Sequence, residues 1–411
     1  MKLYRRENYL KKIRGFFHET DLIKVISGVR RCGKSSLMHT IADEIIENGV
    51  SKKNIIFIDL KKRGYRSIKT PDALEEVIDK ACEKIKGIKY LFIDEIQNVK
   101  GFEDVIEEFR LEEEFSIFIT GSNSYLLSGE LATNLTGRYL EFEMFPLTFE
   151  EYLKMKEFYK KPIDNNLAKE LDIYIYEGGF PRSIRFNSLE EKRAYTKGVI
   201  IEIFEKDIKR RVKIKNKEAF LKIQKYLINN YGVTTSISNI TKELNNNGLV
   251  IKRDTVVKYI QALVDAKILY ECNRFDMKSK TSLGAEQKYY LSDLSFYYST
   301  NVDNRINYGP ALENIVYQYA YSKDYEISVG KIGKLECDFI LRKNSDAYAY
   351  VQVAYSIAIN KETEEREYRS LEKAIDFYPR YLLTNDTLTQ GRSGIKHCYL
   401  PEFIKEGRLF E

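Results

Sequence analysis

The chain has 411 residues, a net charge of +6, and hydrophobic and aromatic fractions of 43% and 13%. This length exceeds one hydrophobic core, and the apolar content is sufficient for two to four folded domains. No apolar run approaches the ~18 residues that cross a bilayer, and the charged N-terminal segment lacks a signal-peptide apolar region, so we expect a cytoplasmic protein without a membrane span.

Residues 1–145 show an alternation of strands and helices. Short apolar runs predict strands at 22–27, 54–60, 90–96 and 116–122. One predicted helix ends near Gly49, and another begins at Thr70-Pro71 and ends near Lys86. Apolar strands that alternate with helices predict a parallel sheet covered on both faces, and therefore an α/β domain.

The first strand leads into "GVRRCGKSS", which fits the spacing G-x-x-x-x-G-K-[ST] of a phosphate-binding loop. In such a loop backbone N–H groups and a helix N-terminus surround the phosphates, a lysine adds positive charge, and a hydroxyl binds Mg²⁺. We therefore predict ATP and Mg²⁺ as cofactors. The predicted nucleotide ligands are Gly28, Arg31, Cys32, Gly33, Lys34, Ser35 and Ser36, of which Ser35 is also a metal ligand.

Polar residues at later strand ends predict the catalytic groups. Asp94 ends the strand "YLFID", where it can hold the magnesium shell, and Glu95 can polarise a water for attack on the γ-phosphate. Ser122 and Asn123 follow the next strand, and either can sense the γ-phosphate. Arg138 is a candidate for neutralising transition-state charge from across a subunit boundary, although a surface salt bridge is the alternative.

Residues 146–215 predict a second, helical unit. Pro146 ends the α/β pattern, and Thr148 with Glu151 forms the sequence of a capping box at the start of a helix. Helical, tyrosine-rich sequence follows and is interrupted by the turn Gly178–Pro181. We interpret this segment as a helical lid.

Residues 216–300 predict three helices followed by a β-hairpin, which is the order of a winged helix-turn-helix. The segment 206–288 contains 18 lysine and arginine residues and 8 acidic residues, a net charge of +10, whereas the rest of the chain carries −4. Such a concentration of positive charge indicates DNA binding, with a solvated basic face as the alternative. Lys252, Arg253 and Lys258 lie on or beside the predicted recognition helix.

Several segments resemble one protein family. They are "GVRRCGKSS", "YLFIDEIQ", "FITGSNSYLLSG", "LTGRYLEFEMFPLTFEEYL", "EGGFPRSI", "DIKRR", "TVVKYIQALVDAKILY", "KYYLSD" and "ALENIVYQYAY". In this order they resemble the AAA-like P-loop ATPases of bacteria and archaea whose C-terminal half is a domain of unknown function. The resemblance covers essentially the whole chain and implies ATP hydrolysis.

The resemblance also implies that residues 301–411 are similar to a PD-(D/E)xK restriction-endonuclease-like domain. Glu313 would then be the helix carboxylate and Asp338 the strand carboxylate that hold Mg²⁺. However, Gln352 and Ala354 stand where this pattern has glutamate and lysine. Because an amide and a methyl group supply neither charge, we expect a degenerate domain that does not cleave DNA, although Lys331 or Lys334 could replace the lysine.

The expected architecture is a P-loop ATPase domain (1–145), a helical lid (146–215), a winged helix (216–300) and a nuclease-like α/β domain (301–411). We expect an ATP-driven switch that contacts DNA through the 206–288 segment. One alternative is a protein-binding scaffold whose conformation the nucleotide sets. A second is an ATP-gated Mg²⁺ nuclease. A homo-oligomer or a protein partner is compatible with each of these functions.

Overall fold

The protein is an α/β protein in a computed structural model, which describes residues 3–121, 137–276, 281–301, 305–332, 335–343, 347–374 and 376–411. The chain divides into two compact units, residues 1–144 and 145–411. Within the described ranges, no helix has the length and apolar character needed to cross a membrane.

The first unit is built on a five-stranded sheet. Its strands are β1 (Ile23–Gly28), β2 (Ile55–Asp59), β3 (Lys89–Asp94), β4 (Phe115–Thr120) and β5 (Tyr139–Met144). Its helices are α1 (Glu7–Ile13), α2 (Lys34–Glu47), α3 (Pro71–Cys82) and α4 (Phe102–Leu111). The strand order is β2-β3-β4-β1-β5, and every neighbouring pair is parallel, so the predicted parallel sheet is confirmed.

Burial explains the strand sequences. Every residue of β1, β3 and β4 is buried, because helices cover the faces of a parallel sheet. The carboxyl ends of these three central strands lie side by side, and ligands bind at this end of the strands in open α/β sheets. The predicted end of α3 near Lys86 was wrong. The helix ends at Cys82, since the N–H of Ile85 turns back to the Cys82 carbonyl at 2.9 Å.

The second unit begins with three helices, α5 (Phe149–Phe158), α6 (Leu167–Glu177) and α7 (Leu189–Ile203). The predicted capping box is confirmed at the start of α5. The Glu151 N–H donates to Thr148 Oγ1 at 3.4 Å, and the Thr148 N–H donates to Glu151 Oε2 at 3.1 Å. This exchange satisfies two N–H groups that a helix N-terminus otherwise leaves unpaired.

Two series of helices and strands complete the second unit. The first contains α8 (Lys217–Asn229), β6 (Thr234–Thr235), α9 (Ile237–Asn246), α10 (Arg253–Asp265), β7 (Leu269–Asp276), β8 (Thr281–Leu291) and α11 (Ser295–Thr300). The second contains α12 (Tyr308–Ser322), β9 (Glu326–Ile332), β10 (Leu335–Lys343), β11 (Ala347–Val353), α13 (Lys361–Glu372), β12 (Arg380–Thr384), β13 (Ile395–Tyr399) and α14 (Leu400–Lys405).

A single sheet connects both series. Its eight strands have the order β13-β12-β11-β10-β9-β7-β8-β6. Strand β7 pairs with β8 in an antiparallel hairpin, and on its other side it pairs in parallel with β9, from Arg274 opposite Val329 to Asp276 opposite Lys331. The predicted boundary between the winged helix (216–300) and the nuclease-like domain (301–411) therefore falls between strands of one sheet.

Candidate functional site

The phosphate-binding loop is the turn between β1 and α2. Gly28 has φ +130° and Gly33 has φ +115°, values that side chains with a Cβ rarely adopt. A Cβ at Gly28 would lie 2.1 Å from the Met144 carbonyl oxygen, so only glycine fits between β1 and β5. Helix α2 begins at Lys34, and its N-cap residue, Gly33, has no side chain that could cap the first N–H groups. This loop and helix end form a cradle that fits a phosphate group.

Lys34 points into this loop. Its ammonium group donates to the backbone carbonyls of Gly28 at 2.8 Å and Val29 at 3.1 Å, and the side chain is buried. The other predicted ligands lie in the same turn. Cys32 is buried, Gly33 and Ser35 are half-buried, and Arg31 and Ser36 are exposed.

Asp94 and Glu95 lie where β3 ends, and both are buried. Thr120, the last residue of β4, joins them. Its hydroxyl donates to Asp94 Oδ1, and the Glu95 N–H donates to Thr120 Oγ1 at 3.0 Å. Glu95 has φ +61°, so its side chain turns away from the strand direction. The predicted γ-phosphate sensors Ser122 and Asn123 lie outside the described residues, and the polar group that the structure places at this strand end is Thr120.

Glu95 is surrounded by positive charge. Lys61 Nζ lies 2.5 Å from Glu95 Oε1, and an Arg30 guanidinium nitrogen lies 3.8 Å from Glu95 Oε2. Burial acts to raise the pKa of Glu95, but the charges of Lys61 and then Arg30 outweigh burial and lower this pKa. Glu95 is therefore ionised at neutral pH. Because Arg30 belongs to the phosphate-binding loop, this contact brings the loop and the end of β3 together.

Three residues at this site, Thr120, Lys61 and Arg6, were not predicted from the sequence. Lys61 follows β2, and a lone lysine after a strand carries no motif. Arg6 precedes α1 and donates from NH1 to the Cys32 carbonyl of the loop at 3.1 Å, with its side chain buried. The N-terminal segment contains many charged residues, and no sequence pattern distinguishes Arg6, which donates to the loop, from the others.

Arg138 lies at the amino-terminal end of the strands, opposite to the end at which the phosphate-binding loop lies. It directly precedes β5, whose Tyr139 pairs with Ile23, whereas Met144 pairs with Gly28 at the loop. Six residues of extended strand span roughly 20 Å, so Arg138 does not reach the loop of its own chain. Its guanidinium forms an ion pair with Glu107 and is half exposed.

The predicted recognition-helix residues lie at the start of α10. Lys252 occupies the N-cap position, and Arg253 and Lys258 lie within the helix. All three side chains are exposed, and none of them forms an ion pair with another described residue. This end of α10 therefore presents three positive charges to solvent.

The C-terminal carboxylates lie close together. Glu313 on α12 and Asp338 on β10 are buried enough for burial to raise the pKa of each. Gln352 on β11 lies beside Asp338, whose N–H donates to Gln352 Oε1 at 3.3 Å. The expectation that Lys331 or Lys334 replaces the lysine stays a prediction, and Lys334 lies outside the described residues. Instead, Lys288 Nζ on β8 lies 3.3 Å from Glu313 Oε2.

Comparisons with known proteins identify the family. The AAA domain family matches residues 20–153, which include the loop and Asp94, and a domain of unknown function matches residues 168–305. An uncharacterized protein of Haemophilus influenzae is 33% identical over 401 residues, which cover 97% of this chain and 98% of that protein. The chain belongs to the family of this protein. An uncharacterized protein of Methanocaldococcus jannaschii is 32% identical over 86% of this chain and 78% of its own length.

A solved structure supports the fold of this AAA-domain protein. The Walker-type ATPase of Pyrococcus abyssi has a TM-score of 0.51 and 15% identity, and the match covers 72% of this chain and 95% of that chain. At this identity the likeness establishes the fold alone. The AAA domain match and this fold make the protein a P-loop, AAA-like protein.

Proposed function

We propose that this AAA-domain protein is a cytoplasmic, ATP-driven switch that hydrolyses the γ-phosphate of ATP. The contact between Arg30 of the loop and Glu95 at the end of β3 carries the proposal, since it brings the phosphate cradle and the water-polarising carboxylate to one point. Lys34 would bind the phosphates. Ser35 and Asp94 would hold Mg²⁺, which neutralises phosphate charge when it is bound.

Exchange of partners at Glu95 is part of this proposal. Glu95 Oε1 accepts from Lys61 and Glu95 Oε2 accepts from Gln97 Nε2 at 2.7 Å, so both carboxylate oxygens are engaged. Release of one of these donors would make the Glu95 carboxylate a more basic acceptor for an attacking water. The γ-phosphate of bound ATP is a competing anion for Lys61, and this competition would link ATP binding to the release of Glu95.

A pair of variants tests the ATPase proposal. Glu95→Gln keeps the side-chain shape and removes the charge, so it should bind ATP and hydrolyse it at least tenfold more slowly. Lys34→Ala should weaken binding itself, because it removes the charge at the phosphates. Phosphate release and the affinity for a fluorescent ATP analogue measure the two steps separately. Glu95→Gln turnover at the wild-type rate would show that Glu95 is not the water-polarising group.

We further propose that the second unit contacts DNA. The order of α8, β6, α9, α10 and the β7–β8 hairpin supports a winged helix, and α10 presents Lys252, Arg253 and Lys258 to solvent. DNA affinity should fall steeply with salt, with a slope that decreases by about two when Lys252 and Arg253 are both changed to alanine.

The matched control is a double alanine variant of Lys361 and Lys405, two exposed lysines of the same unit. It removes the same charge from the protein and should leave DNA binding unchanged. An absence of DNA binding at low salt, with and without ATP, would favour the alternative of a protein-binding scaffold. Mg²⁺-dependent cleavage of plasmid DNA that is lost in Asp338→Ala would favour the ATP-gated nuclease.

We propose a role in trans for Arg138, in an assembly of several copies. Arg138 lies at the end of the strands opposite to the loop, and this position supports the role. From there Arg138 can reach only a nucleotide bound to another copy. Mixing the inactive variants Arg138→Ala and Lys34→Ala should restore part of the ATP turnover, since one interface then combines an intact loop with an intact arginine. Unchanged turnover of Arg138→Ala alone would contradict this role.

A further inference from the structure

A buried cluster of charges joins three elements of the second unit. Lys288 on β8 lies at its centre, and only 7% of its side chain is exposed. Its ammonium group lies 3.3 Å from Glu313 Oε2 on α12 and 2.9 Å from Glu336 Oε1 at the start of β10. Asp338, two residues further along β10, is also buried. The charges of these three carboxylates all act to raise the pKa of this one ammonium group, and Glu336 is the most exposed of the three, with 36% of its side chain accessible.

The resemblance to a PD-(D/E)xK domain implies a divalent metal at Glu313 and Asp338, but the neighbouring residues do not fit one. Gln352 replaces the third carboxylate, and its Oε1 already accepts from the Asp338 N–H at 3.3 Å and from Ser370 Oγ at 3.2 Å. Its Nε2 donates to Glu367 Oε2 at 3.0 Å. The amide oxygen therefore has no remaining lone pair for a metal.

One oxygen of each buried carboxylate also accepts from protein donors. Asp338 Oδ2 accepts from the Val353 N–H at 2.8 Å, and Glu313 Oε2 also accepts from the Tyr290 hydroxyl at 3.1 Å. Among the described residues, no group of three or more Asp, Glu, His or Cys side chains converges in a metal-binding arrangement. The cluster is therefore organised around hydrogen-bond donors.

We propose that Lys288 supplies the cation of this cluster, so that a fixed ammonium group takes the place that the resemblance assigns to a divalent metal. An unpaired buried carboxylate is costly, and an ammonium group with several carboxylate partners removes most of that cost. The proposal predicts that the second unit binds no divalent metal at Asp338 and needs none to be stable.

Electrostatics around Lys288 agree with this geometry. Burial acts to lower the pKa of Lys288, but the nearby carboxylates, first Glu313 and then Asp338, outweigh burial and raise it. The ammonium group therefore stays charged throughout the physiological range. A further consequence concerns architecture, since Lys288 lies on the β7–β8 hairpin and both of its ion-pair partners lie after residue 300. The lysine thus fastens the hairpin to α12 and β10.

Metal-dependent thermal unfolding, without nucleotide, tests the proposal on the full chain. The shift in Tm that millimolar Mn²⁺ causes should be the same for wild type and for Asp338→Asn, so that any effect of Mn²⁺ at Asp94 is subtracted. Lys288→Ala leaves the carboxylates without their cation, so its Tm should fall by about 5–15 °C. Because the same change opens space among three carboxylates, Mn²⁺ should then restore part of the loss. Adding Asp338→Asn to Lys288→Ala should abolish the recovery.

Lys323→Ala is the matched control. Lys323 is also a largely buried lysine of the second unit, with its ammonium group 3.3 Å from Glu150 Oε2. This variant should lose stability without any recovery by Mn²⁺. A Lys288→Ala protein that loses no more stability than Lys323→Ala, or that gains nothing from Mn²⁺, would overturn the proposal.

A direct measurement of Mn²⁺ binding tests the proposal even if Lys288→Ala fails to fold. Electron paramagnetic resonance counts free Mn²⁺ during titration of the wild-type protein without nucleotide. We expect the same bound fraction for wild type and Asp338→Asn. Mn²⁺ bound by wild type and lost in Asp338→Asn would show that the cluster holds a metal and that Lys288 does not replace it. ATP turnover is not needed for either measurement, so failure of the ATPase proposal would leave this result unaffected.

Discussion

Lys24 in the middle of β1 provides a quantitative test of the first unit. Its ammonium group is buried, donates to the Glu19 carbonyl at 2.5 Å and to Ser116 Oγ at 3.0 Å, and lies 4.7 Å from the centre of the Phe118 ring. Burial lowers the pKa of Lys24 from 10.5 to about 7, and the more distant charges of Glu19 and Asp21 oppose this shift only in part.

The sign and size of the pH effect follow from this shift. Below pH 7 Lys24 is charged in both the folded and the unfolded protein. The folded protein then bears the full free-energy cost of burying a charged ammonium group. Between pH 7 and 10.5 the unfolded chain binds more protons than the folded protein, so stability rises with pH. From pH 7 to pH 9 the cost falls by about 2 kcal/mol, because each pKa unit corresponds to about 1.4 kcal/mol.

Lys24→Met removes the titrating group and keeps much of the side-chain volume. It should be more stable than wild type at pH 7, and the advantage should shrink by about 2 kcal/mol at pH 9. Urea unfolding at pH 7, 8 and 9, followed by circular dichroism, measures the difference. Lys52→Met at an exposed lysine of the same unit is the control. Parallel stability curves for wild type and Lys24→Met would refute the reasoning, since they would show that Lys24 does not titrate in this range.

Three further substitutions have definite expected outcomes. Thr120→Val removes the hydroxyl that joins Asp94 to the end of β4, so the rate of ATP hydrolysis should fall about tenfold. Thr120→Ser keeps the hydroxyl and should keep the rate. Equal rates for the two variants would exclude a role of the hydroxyl in hydrolysis. Lys61→Met should weaken ATP binding several-fold, because it removes the cation for which the γ-phosphate competes with Glu95. The affinity for a fluorescent ATP analogue measures the change, and an unchanged affinity would contradict the exchange of partners. Gly178→Ala places a Cβ 2.0 Å from a carboxylate oxygen of buried Asp293, so Tm should fall by at least 5 °C; an unchanged Tm would contradict the packing.

The parts of the site that follow from local spacing could be predicted from the sequence. Gly28, Lys34 and Asp94 belong to motifs whose residues are close in the chain or end a recognisable apolar strand. Lys61 and Thr120 could not be identified in this way, because their importance comes from strand order. Only the placement of β4 between β3 and β1 brings Thr120 to Asp94.

The same distinction applies to the second unit. The helices α8, α9 and α10 follow from apolar periodicity and glycine stops, and their positions agree with the sequence pattern. Strand β9 was not predicted, since its sequence "EISVGKI" is short and contains glycine. Its parallel pairing with β7 joins strands about 50 residues apart, and local patterns contain no information about such pairing. Lys288 escaped prediction for the same reason.

The pairing of β7 with β9 also determines where the chain can be cut. A chain that ended near residue 300 would lack β9, and the backbone N–H and C=O groups of Arg274–Asp276 would lose their partners on that side. An open strand edge recruits other strands, so a fragment with only the basic helices should self-associate. DNA retained by such a fragment would then reflect a many-copy aggregate with multiplied charge. Affinities that describe the protein require the second unit through Glu411, whose backbone carbonyl accepts from Lys396 Nζ at 2.6 Å on the last strand.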